Sequence, residues 1–406
     1  MSEAAGRRTS GTDAGSDTGS EIMDLQMGPS HPATHGTIKF NLRLDGDTIV
    51  SCDTEIGYLH RGFEKMCEQG TWNQCIPYAD RLNYASPMIN NFIFTEGVER
   101  LLGVQVPDRC TYIRVILSEV ARIADHLTCL GMAAAELGAQ TVAFYMNQAR
   151  ERLYNINQLV TGARVTVSYG RVGGLVRDVP DEFEEQLRSA LAEVVEHSDN
   201  CEKLLERNRI FIDRMVGIGV IGADEAIDYG LTGPMLRATG VSYDVRKNAP
   251  YMGYDRFEFD VPVGTQGDNF DRFAVRIDEI RQSIRIIEQG LAGLPDGPVC
   301  VDDPTIVLPP KNDVYGSIEG LMAQFKMVIE GIKVPEGEVY IAGEGANGEV
   351  GFYLVSDGSG RPYRVRVRPP CFYGMGVVER LCKGHAIADL VAIFGMVNMI
   401  GGECDR

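Results

Sequence analysis

Alternation of apolar and polar side chains marks the first folded stretch. In TIKFNLRL (37–44), Ile38, Phe40, Leu42 and Leu44 fall on one face and their neighbours on the other, the period-two signature of a half-buried strand. DGD (Asp45 to Asp47) supplies a tight turn and TIVSCDTEIG (48–57) returns as a partner, so a β-hairpin is predicted. From about Asn91 the period lengthens to that of a helix. In 109–139, Ile113, Ile116, Leu117, Val120, Ile123, Ala124 and Leu127 recur three and four apart, over a length fit for the main helix of a bundle. The same periodicity predicts helices over 142–160, 180–208, 271–291 and 376–394. Strand signals return in GEVGFYLVSDGSGRPYRVRVRPP (348–370), with SDGSG as the turn.

These elements predict an α+β fold, with a central bundle of long helices, a small antiparallel sheet at its N-terminal edge and another near the C-terminus. Residues 1–20 are rich in Gly, Ser, Thr and Asp without an apolar core, and are expected to form a disordered tail. An N-terminal β region over 21–90, a helical bundle over 91–300 and a C-terminal α/β region over 301–406 follow. No repeat of fixed period is visible.

Composition narrows the function classes. The 406 residues are 44% hydrophobic and 24% charged, as in an ordinary folded protein. A formal net charge of −18 repels polyanions, which argues against a nucleic-acid partner. No window reaches the roughly 18 to 20 apolar residues of a membrane span. The start carries neither a secretory signal nor a transit helix, which predicts a cytosolic location. None of the ten cysteines forms a CxxC pair, so they are read as reduced packing residues and no iron–sulfur cluster or zinc site is expected on this chain.

The chemistry-bearing candidates are few. GPSHPATHG (28–36) places His31 and His35 four apart, but Pro32 and Gly36 argue for a loop, and no third metal ligand lies near. The two imidazoles read either as loop residues satisfied by backbone or as groups offered to a ligand. YLHRGFEK and DRLNYASP set Arg61, Arg81 and Tyr84 at the ends of sheet or loop segments. Glu119, Arg122 and His126 share one face of the long helix, either as a solvated ion-pair strip or as a buried polar seam beside a redox centre, which would demand paired charges. Asp268 and Asp271 suit the start of a helix. GxGxxG and GxxxxGK[ST] are both absent, so neither nicotinamide nor ATP is expected here.

Taken together, GPSHPATHG, YLHRGFEK, DRLNYASPM, TGAR with GG nine residues after Arg164, TGPMLRATG, PVGTQGDNFDRF, YLVSDGSGRPYR and ADLVAIFG resemble the 49-kDa-type (D) subunit of respiratory complex I, the NADH:quinone oxidoreductase. That family is related to the large subunit of nickel–iron hydrogenases. The likeness runs in order from about residue 24 to the C-terminus.

The resemblance implies a peripheral-arm subunit of a proton-translocating enzyme, active only in the complex and peripheral on the cytoplasmic side of the cell inner membrane. It implies quinone as substrate, held by His35 and Tyr84, with Glu136 orienting the histidine. Arg61 and Arg81 would lie near the terminal [4Fe–4S] cluster of the neighbouring iron–sulfur (B) subunit, where a cation favours the extra electron. The C subunit and the quinone-channel membrane (H) subunit are the other implied partners. The hydrogenase nickel ligands are two CxxC pairs. Here residues 81–87 carry no thiol and the C-terminal segment retains only Cys404, so nickel cannot be held. Three departures stand out, Asn83 and Asn398 where the family usually has Asp, and Glu136 where it has a shorter acid. The alternatives are a hydrogenase-like structural subunit without quinone chemistry, or a complex I relative fed by a different electron donor.

Overall fold

The computed structural model describes residues 22–406, and the tail over 1–20 lies outside the described residues. The predicted hairpin forms as β2 (Lys39–Asp45) and β3 (Thr48–Glu55), preceded by β1 (Ile22–Met27), in an antiparallel sheet of order β1-β2-β3. Phe40, Leu42, Leu44, Ile49 and Cys52 point inward. Strand β1 pairs Leu25 with Leu42 but buries only Met27 fully, so it has little alternation to betray it and is held mainly by its backbone ladder.

Helices begin earlier than the periodicity suggests. α1 (Phe63–Gln69) and α2 (Trp72–Asp80) lie ahead of α3 (Pro87–Leu102). The start of α2 is fixed by a capping box in which the Gln74 side chain accepts from the Thr71 amide at 2.9 Å. Then comes α4 (Asp108–Glu136), 29 residues long and buried over most of its length, followed by α5 (Gln140–Thr161). A short hairpin, β4 (Gly170–Arg171) and β5 (Gly174–Leu175), leads to α6 (Phe183–Leu205). Four short helices come next, α7 (Arg209–Met215), α8 (Ala223–Asp228), α9 (Gly233–Arg237) and α10 (Val245–Asn248). They lead to α11 (Asn269–Ala292), where Asp268 caps as expected and accepts from the Asp271 amide at 2.9 Å. Helix α4 packs against α3, α5, α11 and α15, the last at Ile387–Val397, which makes it the axis of the bundle.

The C-terminal region adds α12 (Lys311–Gly316), α13 (Ile318–Glu330) and an antiparallel sheet of β6 (Gly337–Gly345), β7 (Gly348–Ser356) and β8 (Pro362–Arg368). The single helix expected over 376–394 is in fact two, α14 (Pro370–Cys382) and α15. Gly384, at a φ of 83°, breaks the run, and the break is tied to β3 by Gly384 N donating to Ile49 O at 2.8 Å and Ile49 N donating to His385 O at 2.9 Å. A last turn, α16 (Gly401–Asp405), ends the chain.

Two apolar cores result. One joins the bundle to the C-terminal sheet; the other joins the N-terminal sheet to α14 and α15 through Phe40, Ile49, Val377, Leu390, Ile393 and Phe394. Leu82 belongs to the first and Ala85 to the second, so the segment carrying Tyr84 runs along the seam between them.

The polar strip on α4 is buried, and each of its side chains is paired, His126 through one ring nitrogen only. Glu119 accepts from Arg122, Arg246, Tyr254 and Ser283, with closest contacts between 2.6 and 3.1 Å. His126 contacts Glu279 at 2.8 Å, and Glu279 in turn accepts from Arg237 at 2.7 Å. The partners come from α9 to α11 and β6, elements far apart in sequence, which is why periodicity on α4 alone left both readings open.

Candidate functional site

The double-histidine stretch folds as a single 3-10 turn over Pro32–Thr34 rather than an open loop. His31 caps it, Nδ1 accepting from the Ala33 amide at 3.2 Å, so this histidine is satisfied by backbone. His35 closes it in the left-handed region at a φ of 54°. That conformation turns its imidazole away from β2 and onto α15, where the ring lies 5.3 Å from that of Phe394. Its Nε2 meets Glu136 Oε1 at 3.1 Å, joining residues 101 positions apart. Glu136 is the last residue of α4, and its second oxygen is buried without a partner in the chain. A Cβ on Gly395 would stand 3.0 Å from that oxygen, so the glycine leaves it room.

Tyr84 is 38% exposed, on the segment between α2 and α3. Partial burial of its ring raises the phenol pKa, and the nearby Cys371 thiol adds to the rise. Residues 394–402 run between the two side chains: Phe394 touches His35, a Cβ on Gly401 would stand 3.1 Å from Thr37, and the Gly401 amide faces the Tyr84 phenol. The turn at Gly401 thus approaches both the Thr37 segment, two residues past His35, and Tyr84. A cleft of about 370 Å³ beside α16 includes His60, Lys65, Arg364 and Arg406 in its wall but neither His35 nor Tyr84.

The arginines adjoin this turn. Arg61 Nη2 donates to the Arg81 carbonyl at 2.6 Å, and Arg81 Nη1 donates to the Pro77 carbonyl at 2.7 Å. Among the described residues neither guanidinium is paired with a carboxylate. Gly402 is what allows the approach. A Cβ there would stand 2.8 Å from the carbonyls of both Arg81 and Leu82. Gly402→Ala is expected to destabilise the chain by about 1–3 kcal/mol, because both obstacles are backbone. A lower denaturant midpoint at an unchanged slope checks this.

The two asparagine departures acquire a role the sequence did not suggest. Asn83 Nδ2 donates to Asp125 Oδ2 at 2.9 Å, Ser86 Oγ donates to the same oxygen at 2.8 Å, and Asn398 Nδ2 donates to Oδ1 at 3.0 Å. Asp125 is fully buried. Neutral amides thus hold a single carboxylate beneath the Tyr84 segment, where two further acids would have repelled it. The donors come from two segments, 83–86 and Asn398, both far in sequence from Asp125, so no local spacing announced the cluster.

All ten cysteines are free and only Cys300 is not fully buried. Among the described residues no three His, Cys, Asp or Glu side chains come together in a metal-binding group. No described helix is long and apolar enough to cross a membrane.

Residues 136–406 match the family described as respiratory-chain NADH dehydrogenase, 49 Kd subunit. Among curated proteins, the chain is 58% identical over 391 residues to the first of the D subunits of NADH-quinone oxidoreductase in Sorangium cellulosum, covering 96% of this chain and 97% of the relative. It is 54% identical over 384 residues to the D subunit of the same enzyme in Myxococcus xanthus, with 95% and 92% covered. Against the D subunit from Pelobacter propionicus the identity is 50% over 383 residues, with 94% and 95% covered.

Proposed function

The chain belongs to the family of the 49-kDa subunit of respiratory-chain NADH dehydrogenase, and from that premise we propose that it forms one wall of the quinone site of an NADH:quinone oxidoreductase. The observation that carries this reading is the 3.1 Å contact of His35 with Glu136, with the Gly401 turn reaching both the segment after His35 and the partly exposed Tyr84 phenol. Quinone reduction takes up two electrons and two protons at opposed carbonyl oxygens, and an imidazole and a phenol are donors suited to those oxygens. Glu136 accepts from one imidazole nitrogen and so fixes which way the ring presents the other.

The electrons enter in single steps from an iron–sulfur cluster held by the neighbouring B subunit. Arg61 and Arg81, neither paired with a carboxylate among the described residues, supply positive charge that favours the reduced cluster. The C and H subunits are the further partners, and attachment to the cytoplasmic side of the inner membrane runs through the assembly rather than through a described helix of this chain.

A photoreactive quinone analogue tests the reading in the assembled complex. Labelling within 31–37 or 81–86, suppressed by excess quinone, is the expected result. Labelling confined to other subunits would leave this chain a structural component without quinone chemistry.

A further inference from the structure

Glu403 on α16 is 1% exposed, and neither of its carboxylate oxygens has a hydrogen-bond partner. No lysine or arginine pairs with it among the described residues. Facing it are the Cys371 thiol of α14, Asp125 of α4 and Arg368 of β8, with Cys404 and Asp405 on its own turn. These neighbours are occupied elsewhere. Asp125 is saturated by Asn83, Ser86 and Asn398. Asp405 accepts from the amides of Gly57 at 3.0 Å and Leu59 at 2.7 Å, and Arg368 donates to the Glu349 and Gly230 carbonyls at 2.6 and 2.7 Å. Burial pushes the Glu403 carboxyl up to about 7, so near neutral pH it is protonated in part, with the Cys371 thiol as its nearest ionisable neighbour.

Its place matters as much as its state. Gly401 and Gly402, just before it, are the residues that press α16 against Thr37, Arg81 and Leu82. The Tyr84 phenol has Cys371 and Asp125 among its charged or ionisable neighbours, the same two groups that face Glu403. Cys371 is buried and its thiol is pushed well up by burial, so it stays protonated; its sulfur accepts from Ile400 N at 3.4 Å and Asn347 Nδ2 at 3.5 Å, and its S–H donates to the Asn398 carbonyl at 3.7 Å. A buried acid without a partner is costly unless it serves a purpose, and such groups gather at functional sites.

We propose that Glu403 is the proton reservoir of the quinone site, returning a proton to Tyr84 after each quinone is reduced. The inference rests on the quinone reading above. Quinone gains two electrons from the partner's cluster and two protons, one through the His35 imidazole, which solvent resupplies, and one from the Tyr84 hydroxyl, which leaves tyrosinate. The Cys371 S–H, turning from the Asn398 carbonyl, then gives its proton to that oxygen while its sulfur takes the proton of Glu403. The net result is a neutral tyrosine, a neutral thiol and a Glu403 carboxylate, which then takes up one proton from bulk solvent. No redox change occurs at any of the three side chains.

The test uses the assembled complex with NADH and a short-chain quinone. Glu403→Gln is expected to lower kcat by at least about tenfold with KM for quinone changed less than about twofold, and to abolish the limb of the kcat–pH profile near neutrality. Glu403→Asp should restore the limb. NADH oxidation by ferricyanide, which bypasses the quinone site, should be unchanged in both. Difference infrared spectra recorded on quinone reduction should lose a carboxylic C=O band in Glu403→Gln, a signature that a packing role would not produce. Wild-type kcat and an unaltered pH profile in Glu403→Gln would overturn the reservoir while leaving the site at Tyr84 standing. Absence of photolabelling near Tyr84 would instead overturn the quinone reading beneath it.

Discussion

Glu119→Ala is expected to cost about 3–5 kcal/mol of folding stability, the range for removing one partner from a buried ion pair. Against a total of about 5–15 kcal/mol for a folded domain, this is a large fraction. Glu119 is the shared anion of Arg122 and Arg246, all three at 1% exposure or less, and it also accepts from Tyr254 and Ser283. Removing it takes from Arg122 its one carboxylate among the described residues, leaves Arg246 with Asp244 alone, and leaves two hydroxyls without their acceptor. Although burial opposes ionisation, Arg122 and Arg246 hold its carboxyl down to about 2. A depressed carboxylate contributes stability that is complete above its unfolded pKa and is lost as pH falls towards the folded one. The gap between wild type and variant should therefore be full at neutral pH and close as pH falls from about 4.5 towards 2, the interval between the unfolded and folded values. Glu184→Ala is the control, because its pair with Arg188 at 2.9 Å is exposed on both sides and should be worth less than about 0.5 kcal/mol. Denaturant unfolding of the two variants decides the matter, and a loss below about 1 kcal/mol in Glu119→Ala would show that the cluster relaxes around the missing charge.

That cluster also shows where sequence reasoning stops. The hairpin β2–β3 and the helices α4, α5, α6 and α11 were legible because each buries one face at a fixed period, and the period is written locally. β1 and β6 were not, since the first buries little and the second, in GEVYIAGEG, loses its alternation to glycines at the end that packs deepest. The break at Gly384 was hidden because apolar spacing continues across it, and only the backbone's need for a positive φ shows the interruption. α13 reads as an amphipathic helix, yet Ile318, Leu321, Phe325, Val328 and Ile329 on it are exposed, so its apolar side does not face this chain's core.

The site divides in the same way. Motif resemblance named His35, Tyr84, Glu136, Arg61 and Arg81 without placing them, and the His35 to Glu136 contact and the Arg61 to Arg81 contact now supply two of the geometric links. Asn83 and Asn398 registered only as lost acids, because their common partner, Asp125, lies on α4, 42 and 273 positions away. Glu403 drew no notice in a short polar terminus that looked solvated. Its burial depends on two glycines that let the last turn enter the seam between the cores. Long-range convergence of this kind leaves no mark in spacing.

Tyr84→Phe is expected to lower NADH:quinone turnover by about 100-fold while ferricyanide reduction stays at the wild-type rate, since loss of a positioned proton donor costs on the order of 10²–10⁴ in rate. The substitution removes one hydroxyl and keeps the ring. Among the described residues no side chain is hydrogen-bonded to that hydroxyl and only the Gly401 amide faces it, so its loss should cost no more than about 1–3 kcal/mol of stability. His35→Gln tests the other half of the proposed site. It keeps a donor but loses an ionisable ring opposite Glu136, and should lower turnover while shifting its pH dependence. The two sites act on the same substrate, so their effects in the double variant should fall short of the product of the single effects. Full multiplicativity, or a Tyr84→Phe complex that reduces quinone at the wild-type rate, would separate the phenol from the imidazole and remove the shared site on which the functional reading depends.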